Sequence, residues 1–301
     1  MVRKMVIERY LKLDPERWER LKTDLKSLVR FINSSGGEYS LQLRENYFNI
    51  YYQGSSLAMV RPNRNRTYTV SIHKKFVEGE ALLKKLERYS TNKPSQNVGG
   101  KSQYVGFKIG PRNFHQFFQK SNIDSLSSKI RAVHPGEEIT FEQVLITDNP
   151  PSEKFIIIDR QVADHVNRAQ IDLLALKRDS AEKPFHFLVT EIKLGRNPEL
   201  REEVGRQLSV YVSHIRRYMK DYVACYKDNY GQKKELGLFE PFGPSLPDKI
   251  DIDENERTVE GLVYVCGYSG LAEQKIEYLR QKIQENQWDI KVQKMPELRL
   301  S

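Results

Sequence analysis

The chain has 301 residues, of which 39% are hydrophobic and 30% are charged, and its formal net charge is +9. These values are typical of a soluble globular protein long enough for two domains. They exclude a membrane-embedded protein, because no apolar run reaches the roughly 18 residues needed to cross a bilayer. The N-terminal segment lacks the apolar core of a signal peptide, which favours a cytoplasmic location.

The basic residues are unevenly distributed. Residues 1–150 hold 25 Lys and Arg against 15 Asp and Glu, whereas residues 151–301 hold 24 against 25. A basic half joined to a near-neutral half predicts that one part binds a polyanion and the other acts on it. A basic surface that only keeps the protein in solution is the alternative. The two cysteines, Cys225 and Cys266, lack a paired metal-binding spacing and are expected to be buried thiols.

In chain order, the first predicted element is a helix over residues 15–33, with Asp14 as its N-cap and Pro15 at its first position. Apolar residues then alternate with polar ones, which predicts short antiparallel strands with turns at 44–46, 53–54 and 62–66. A helix is expected over 79–89, a loop over 91–103, and helical segments around 113–118 and 123–133. The segment ITFEQVL, residues 139–145, alternates like a strand. Residues 1–150 are therefore predicted to form an α+β accessory domain.

From residue 155 the predicted order becomes regular. Strands are expected over 155–159, 170–178 and 185–194, followed by a long helix from about 198 to 227. A strand over 261–268, a helix over 271–286 and a strand over 288–295 complete the chain. Strands followed by covering helices indicate an α/β layer with a mixed sheet. The predicted fold class is α/β (α+β overall), with a second domain over residues 151–301.

Two charged residues stand at the end of an apolar strand. Glu191 and Lys193 are two residues apart, so their side chains share one face of that strand. Asp172 lies in the preceding strand, and a buried Asp is costly unless it is grouped with a partner. If the two strands are neighbours, the three side chains converge at one end of the sheet. An ordinary ion pair at a strand end is the alternative.

Such a convergence has a specific chemistry. Two carboxylates together with the backbone carbonyl of Ile192 form a hard oxygen site that suits Mg²⁺ or Mn²⁺. The metal would activate a water molecule, and Lys193 would orient that water and offset charge on a phosphate. Gln207 and Tyr211 share a face of the next predicted helix, which brings them toward the same sheet end. An ordinary amphipathic helix face is the alternative for this pair.

Several basic residues are candidate phosphate contacts. The predicted hairpin tip RPNRNR carries Arg61, Arg64 and Arg66, which we call the tip arginines, and Lys74 and Lys75 are expected nearby. Such residues would hold a nucleic-acid backbone without reading its sequence. A solvated hairpin tip is the alternative. The long helix adds further candidates: Arg201, Arg206, Arg216 and Arg217.

This set of residues resembles the PD-(D/E)XK nuclease superfamily. The strand with Asp172, the strand with Glu191-Ile192-Lys193 and the helix with Gln207 and Tyr211 follow the superfamily's core order. The Gln-xxx-Tyr pair is similar to the RecB-like and NucS-like branches, and QIDLLAL followed by LVTEIKLG is especially similar to the latter. The resemblance covers about residues 155–301.

The resemblance implies a mixed-sheet nuclease core flanked by helices. It implies a Mg²⁺- or Mn²⁺-dependent nuclease, expected to be an endonuclease acting on DNA, that leaves a 5′-phosphate. The family often carries another acid on a helix ahead of the first core strand. Glu138 and Glu142 are the candidates, although the strand-like ITFEQVL departs from that pattern, and Ile171 replaces the motif's Pro.

Two other functions remain open. One is a non-catalytic nucleic-acid- or protein-binding module on an inactivated nuclease fold, and the other is an unrelated α/β protein whose charges are structural. A homodimer or a protein partner bound through residues 1–150 is also open, whereas no membrane partner is expected. His165 and Asn167, between two predicted strands, are expected to be turn residues.

Overall fold

The chain forms two compact units in the computed structural model, which describes residues 5–77, 80–95, 103–133, 136–163, 170–242 and 246–295. The basic unit comprises Arg9–Gly136 and Gly231–Pro241, and the acidic unit comprises Met1–Glu8, Glu137–Tyr230 and Phe242–Ser301. The basic unit holds 25 Lys and Arg against 12 Asp and Glu, or +13, which leaves 24 against 28, or −4, in the acidic unit. The charge asymmetry is therefore larger between the units than between residues 1–150 and 151–301.

The basic unit is an antiparallel meander with helices. Its strands pair in the order β1-β2-β3-β4-β5, each antiparallel to its neighbour. They are β1 (Tyr39–Arg44), β2 (Tyr47–Tyr52), β3 (Ser55–Pro62), β4 (Tyr68–His73) and β5 (Tyr104–Ile109). Its helices within the described residues are α1 (Pro15–Asn33), α2 (Lys74–Val77), α3 (Glu80–Glu87), α4 (Pro111–Phe117) and α5 (Lys120–Ala132).

Helix α1 has the predicted boundaries, and its local chemistry explains them. The Asp14 side chain accepts a hydrogen bond from the Arg17 N–H at 2.9 Å, and Pro15 occupies the first turn, where its missing N–H costs nothing. The apolar positions at helical spacing bury Leu21, Leu25 and other residues in the core of the unit. Strand β5 was not predicted from the sequence, because it follows a polar, glycine-rich segment, of which residues 96–102 lie outside the described part.

The acidic unit is built on a mixed sheet with the order β10-β9-β8-β7-β6. Strands β6, β7 and β8 are antiparallel, and β8, β9 and β10 are parallel. The strands are β6 (Phe155–Val162), β7 (Ile171–Lys177), β8 (His186–Leu194), β9 (Glu260–Cys266) and β10 (Ile290–Lys294). The helices are α6 (Glu137–Asp148), α7 (Glu203–Arg217), α8 (Met219–Glu235, whose last residues belong to the basic unit) and α9 (Ser269–Glu285). The fold class is mixed α/β.

Strand β8 lies at the centre of this sheet, and its side chains alternate between two covered faces. On one face Phe187 packs against the rings of Tyr222 and Tyr226 in α8. Glu191 and Lys193 share that face by alternation. On the other face Ile192 and Leu194 belong to an apolar cluster with residues of α6. Helices on both sides thus bury the strand that carries the candidate site.

Two sequence predictions for this unit are wrong in detail. ITFEQVL lies within helix α6 and is not a strand, because Phe141, Leu145 and Ile146 fall on one helical face that packs on the sheet. The long helix expected over 198–227 is a 3-10 turn over Pro198–Leu200 and two α-helices. Helix α7 ends at Arg217, and the N–H of the next residue, Tyr218, donates to carbonyls in the last turn of α7. Helix α8 begins directly after Tyr218.

Within the described residues, no helix is both long and apolar enough to span a membrane. Cys225 and Cys266 are buried free thiols, as predicted from the sequence. Burial raises the pKa of Cys266 to about 12, so this thiol stays protonated at neutral pH.

Candidate metal and catalytic site

The strands that carry Asp172 and Glu191 are neighbours. Their antiparallel ladder ends where Leu173 pairs with Thr190, which places Asp172 beside Glu191 at one end of the sheet. There the Asp172 carboxylate accepts a hydrogen bond from the Ile192 N–H at 2.8 Å. The structure therefore brings together the three residues whose oxygen atoms were predicted to bind a metal.

The Glu191 carboxyl is buried, and one of its two oxygen atoms lacks a hydrogen-bond donor within the described part of the chain. The residue is 1% exposed, and its Oε1 atom has no hydrogen-bond partner among the described residues. Burial and the charge of Asp172 raise the pKa of Glu191 to about 9. Burial also raises the pKa of Asp172, although the Ile192 N–H and the Lys193 charge oppose the shift. Burial and the repulsion between the two carboxylates therefore both favour a proton on the pair in the absence of a cation.

Lys193 lies between two acids. Its Nζ atom is 2.9 Å from Oε2 of Glu199 and 3.9 Å from Oε2 of Glu191. Burial lowers the pKa of Lys193, but the hydrogen bond that Lys193 donates to Glu199 and the neighbouring carboxylates together hold that pKa above its ordinary value. The side chain is therefore a fixed ammonium at neutral pH, beside the carboxyl pair.

Gln207 and Tyr211 face the same end of the sheet. The Gln207 amide donates to the Tyr211 hydroxyl at 2.9 Å, and that hydroxyl donates to the backbone carbonyl of Gln170 at 3.2 Å. Burial raises the pKa of the Tyr211 hydroxyl, and the charges of Glu191 and Asp172 add to the shift. Tyr211 is thus close to both acids and holds the start of β7, two residues before Asp172.

Helix α6 brings two further acids toward this end of the sheet. Glu142 and Arg160 form an ion pair at 2.6 Å in which both side chains are almost fully buried, and the Gln161 amide also donates to Glu142 at 2.9 Å. Glu138 accepts the Leu194 N–H at 3.3 Å and the Asn197 amide at 2.8 Å. Glu142 is therefore paired with an arginine, whereas the donors that Glu138 has within the described part of the chain are neutral.

The residues present fit a small hard cation. The Glu191 oxygen without a donor, the abutting Asp172 carboxylate and the Ile192 carbonyl are the oxygen ligands that Mg²⁺ and Mn²⁺ prefer. Among the described residues no group of three His, Cys, Asp or Glu side chains is arranged to hold a metal. Two carboxylates and one carbonyl are enough protein ligands for Mg²⁺, because this ion keeps water molecules in its other coordination positions.

A cavity of about 450 Å³ lies on the opposite face of the same sheet. Its floor includes Leu173, Leu188 and Thr190, and its described lining contains none of the predicted catalytic side chains. Strand alternation explains the separation, because Leu173 and Thr190 each point away from the acid next to them in sequence. The candidate site therefore lies at the end of the sheet and not in this cavity.

The structure separates the basic residues that were expected to cluster. Arg61 lies at the end of β3 and the other tip arginines lie in the loop before β4, and all three are exposed. Lys74 and Lys75 follow the other end of β4, so the six residues of that strand, which span about 20 Å, separate them from the loop. The predicted single cluster is wrong, because a strand lies between the two groups.

The basic residues after β8 differ in their surroundings. Arg201 and Arg206 are exposed, near the start of α7. Arg216 instead donates to the Val259 carbonyl at 2.9 Å and to Asp289 at 2.7 Å, which gives it a structural role. Arg217 is exposed at the end of α7. His165 and Asn167 lie outside the described residues.

Glu199 is the site residue that sequence reasoning missed. It lies in the 3-10 turn after β8, where the Asn197 side chain accepts the Glu199 N–H at 2.9 Å and fixes the turn. The Asn-Pro pair ahead of it is a sequence signal for such a turn. Nothing in the sequence separates Glu199 from Glu202 or Glu203, because only the path of the turn directs it back to Lys193.

No family model, curated protein or solved structure matches this chain. Function must therefore be inferred from the geometry of the site and the sequence that builds it.

Proposed function

We propose that the acidic unit is a metal-dependent nuclease core of the PD-(D/E)XK type, which hydrolyses phosphodiester bonds of DNA. One observation carries the proposal. A buried Glu191 oxygen without a donor abuts the Asp172 carboxylate, and the Lys193 ammonium lies 3.9 Å from the same glutamate. Such an arrangement is costly in a folded protein and becomes favourable once a cation binds.

Each residue has a part in this chemistry. Asp172, Glu191 and the Ile192 carbonyl would hold Mg²⁺ or Mn²⁺, and the cation supplies activation of water and neutralisation of phosphate charge. Lys193 donates hydrogen bonds to the attacking water and to the phosphate oxygens, where negative charge develops. Glu199 keeps Lys193 protonated and in place.

Gln207 and Tyr211 act as positioning residues. Their hydrogen bonds end on the Gln170 carbonyl, so they fix the start of β7 and with it the Asp172 carboxylate. The ion pair between Glu142 and Arg160 joins α6 to β6 near the same end of the sheet. Glu138, held by neutral donors, is the better candidate for the additional acid that the superfamily often carries on a helix ahead of the first core strand.

The basic unit would hold the substrate. Its net charge of +13 and the exposed tip arginines suit a polyanion, with contacts to phosphates rather than to bases. The acidic unit, at −4, would then supply the chemistry. This division of labour favours nucleic acid over a small phosphate ester as substrate.

The test is direct. The protein is incubated with circular and linear DNA, single- and double-stranded, in Mg²⁺, Mn²⁺ or EDTA. We expect cleavage that requires metal and is lost in Glu191→Gln and Lys193→Ala, with Glu277→Gln, an exposed acid on α9, as the matched control. Cleavage of circular DNA would identify an endonuclease.

Two results would contradict the proposal. Metal-dependent cleavage that survives in both site variants would show that another protein or another site is responsible. DNA binding without cleavage in any metal would favour a non-catalytic binding module on the same fold.

A further inference from the structure

An exposed aromatic residue lies at the same end of the sheet as the candidate site. Tyr268 follows β9, and its backbone is left-handed, with φ 49° and ψ 42°. A bulky residue rarely adopts this conformation, because its Cβ crowds the backbone. Tyr268 nevertheless remains 46% exposed, so burial of its ring does not compensate for the strained backbone conformation.

The turn that carries Tyr268 is locked to the turn after Lys193. The Gly195 N–H donates to the Cys266 carbonyl at 3.0 Å, and a Cβ atom at Gly195 would lie 2.7 Å from the Gly267 carbonyl oxygen. The Lys275 ammonium also donates to the carbonyls of Gly195 and Asn197, each at 3.1 Å. The position of Tyr268 is therefore fixed relative to the catalytic strand.

A cation supports the exposed ring. The Arg196 guanidinium lies 5.3 Å from the Tyr268 ring centroid and forms an ion pair with Glu137 at 2.9 Å. An arginine held against a tyrosine presents both a stacking surface and a positive charge. Leu271, 65% exposed, extends the apolar surface by one helical turn.

The position suits a nucleotide next to the reacting phosphate. Val265 pairs with Lys193 across the sheet, and Tyr268 is three residues further along the chain, so it lies at most about 10 Å from Val265. We infer that Tyr268 and Arg196 form a base-stacking platform for an unpaired nucleotide adjacent to the phosphate bound at Lys193. The preferred substrate is then single-stranded DNA or a single-stranded end of a duplex, since a paired base cannot present its face to the ring. This inference rests on the proposed nuclease function.

Binding is measured with a single-stranded oligodeoxynucleotide containing 2-aminopurine, and with the same sequence as a duplex, both in EDTA so that cleavage does not interfere. We expect Tyr268→Leu to weaken single-strand binding by about 5- to 150-fold, the usual range for loss of one stacked base, and to reduce 2-aminopurine quenching. Tyr268→Phe keeps the ring and should retain binding, and duplex affinity should be unchanged in both variants. Arg196→Gln should weaken single-strand binding less than Tyr268→Leu does.

Tyr278→Leu is the matched control. Tyr278 lies on α9, the helix that begins directly after Tyr268. It is 41% exposed, and the Lys282 ammonium lies 5.4 Å from the centroid of its ring. It is about 15 Å further along the helix, so its loss should leave single-strand binding intact. The proposed base-stacking platform would be refuted if Tyr268→Leu and Tyr278→Leu lost equal affinity for single strands. It would also be refuted if Tyr268→Leu lost equal affinity for single strands and for the duplex.

Cleavage assays on the same proteins separate this inference from the nuclease proposal. If the wild type cleaves DNA in Mg²⁺ and Tyr268→Leu binds and cleaves single strands as well as the wild type does, only the platform is refuted. If no variant cleaves DNA but single-strand binding depends on Tyr268, the platform is supported and the nuclease is refuted.

Discussion

The buried carboxyl of Glu191 should make the metal-free protein less stable as pH rises. Its pKa of about 9 in the folded state lies well above the ordinary value of 4.5. At a pH between these two values, the carboxyl therefore takes up a proton when the protein folds. Stability from this group is fully present below the ordinary pKa and is lost as pH rises through the folded-state pKa. Glu191→Gln removes the titration while keeping the side-chain shape.

The magnitude follows from proton linkage. One group that is protonated only in the folded state changes the free energy of unfolding by up to about 1.4 kcal/mol per pH unit. Between pH 6 and pH 8 the wild type should lose up to about 2.7 kcal/mol that Glu191→Gln does not lose. For a unit of this size, that difference corresponds to a fall in Tm of roughly 5–10 °C.

Thermal unfolding at several pH values, in EDTA and in Mg²⁺, measures the effect. In EDTA at pH 8, Glu191→Gln should be more stable than the wild type, and Glu277→Gln should follow the wild type. Mg²⁺ should raise the Tm of the wild type but not of Glu191→Gln, because the amide cannot replace the ligand charge. Parallel pH curves for the wild type and Glu191→Gln would show that this carboxyl is ionised in the folded protein and would refute the reasoning.

Four further outcomes are expected. Lys193→Ala should lower the cleavage rate at least about 100-fold while metal binding, followed by calorimetry, persists. Glu199→Gln should move the alkaline limb of the pH–rate profile to lower pH, because burial still lowers the pKa of Lys193 while the charge of the Glu199 carboxylate no longer opposes it; an unmoved limb would assign that limb to another group. Glu142→Ala should cost about 3–5 kcal/mol in denaturant unfolding, since it removes the carboxylate that is paired with the buried Arg160 guanidinium, and a smaller cost would mean that other groups or water compensate for that carboxylate. Neutralising the three tip arginines should make the log–log salt dependence of duplex binding shallower by up to about three units, and an unchanged slope would assign them to a solvated hairpin tip.

The strands of the site could be predicted from sequence because they are short apolar runs with a charge at one end. The ladder between β7 and β8 then follows from their succession in the chain, and it brings Asp172 to Glu191. Glu199 could not be predicted in the same way, since its contact with Lys193 depends on the path of one turn.

Helix α6 shows why a local pattern can mislead. Ile139 and Phe141 alternate with polar residues as in a strand, but Phe141 and Leu145 also lie four residues apart, and the sheet below them buries that helical face. Tertiary packing therefore decides between the strand period of two residues and the helical period of 3.6 residues, both of which this short segment partly follows. The basic loop and Lys74 were expected together because they are close in sequence, but an extended strand of six residues separates them.

The central place of β8 in its sheet gives the two carboxylates unequal freedom. Glu191 lies on a strand bonded on both sides, so its backbone should exchange amide hydrogens only when the whole unit opens. Asp172 lies just beyond the last pair of the β7–β8 ladder, where its carboxylate accepts the Ile192 N–H, but β6 still pairs with β7 on both sides of it. Backbone ladders thus hold Glu191 on two sides and Asp172 on one side. The site should accept Ca²⁺, whose oxygen ligands lie about 0.3–0.5 Å further out than those of Mg²⁺, by a small shift at Asp172 that also strains the hydrogen bond between Tyr211 and Gln170. Ca²⁺ would then occupy the site without supporting cleavage, and it could trap the protein on uncut substrate.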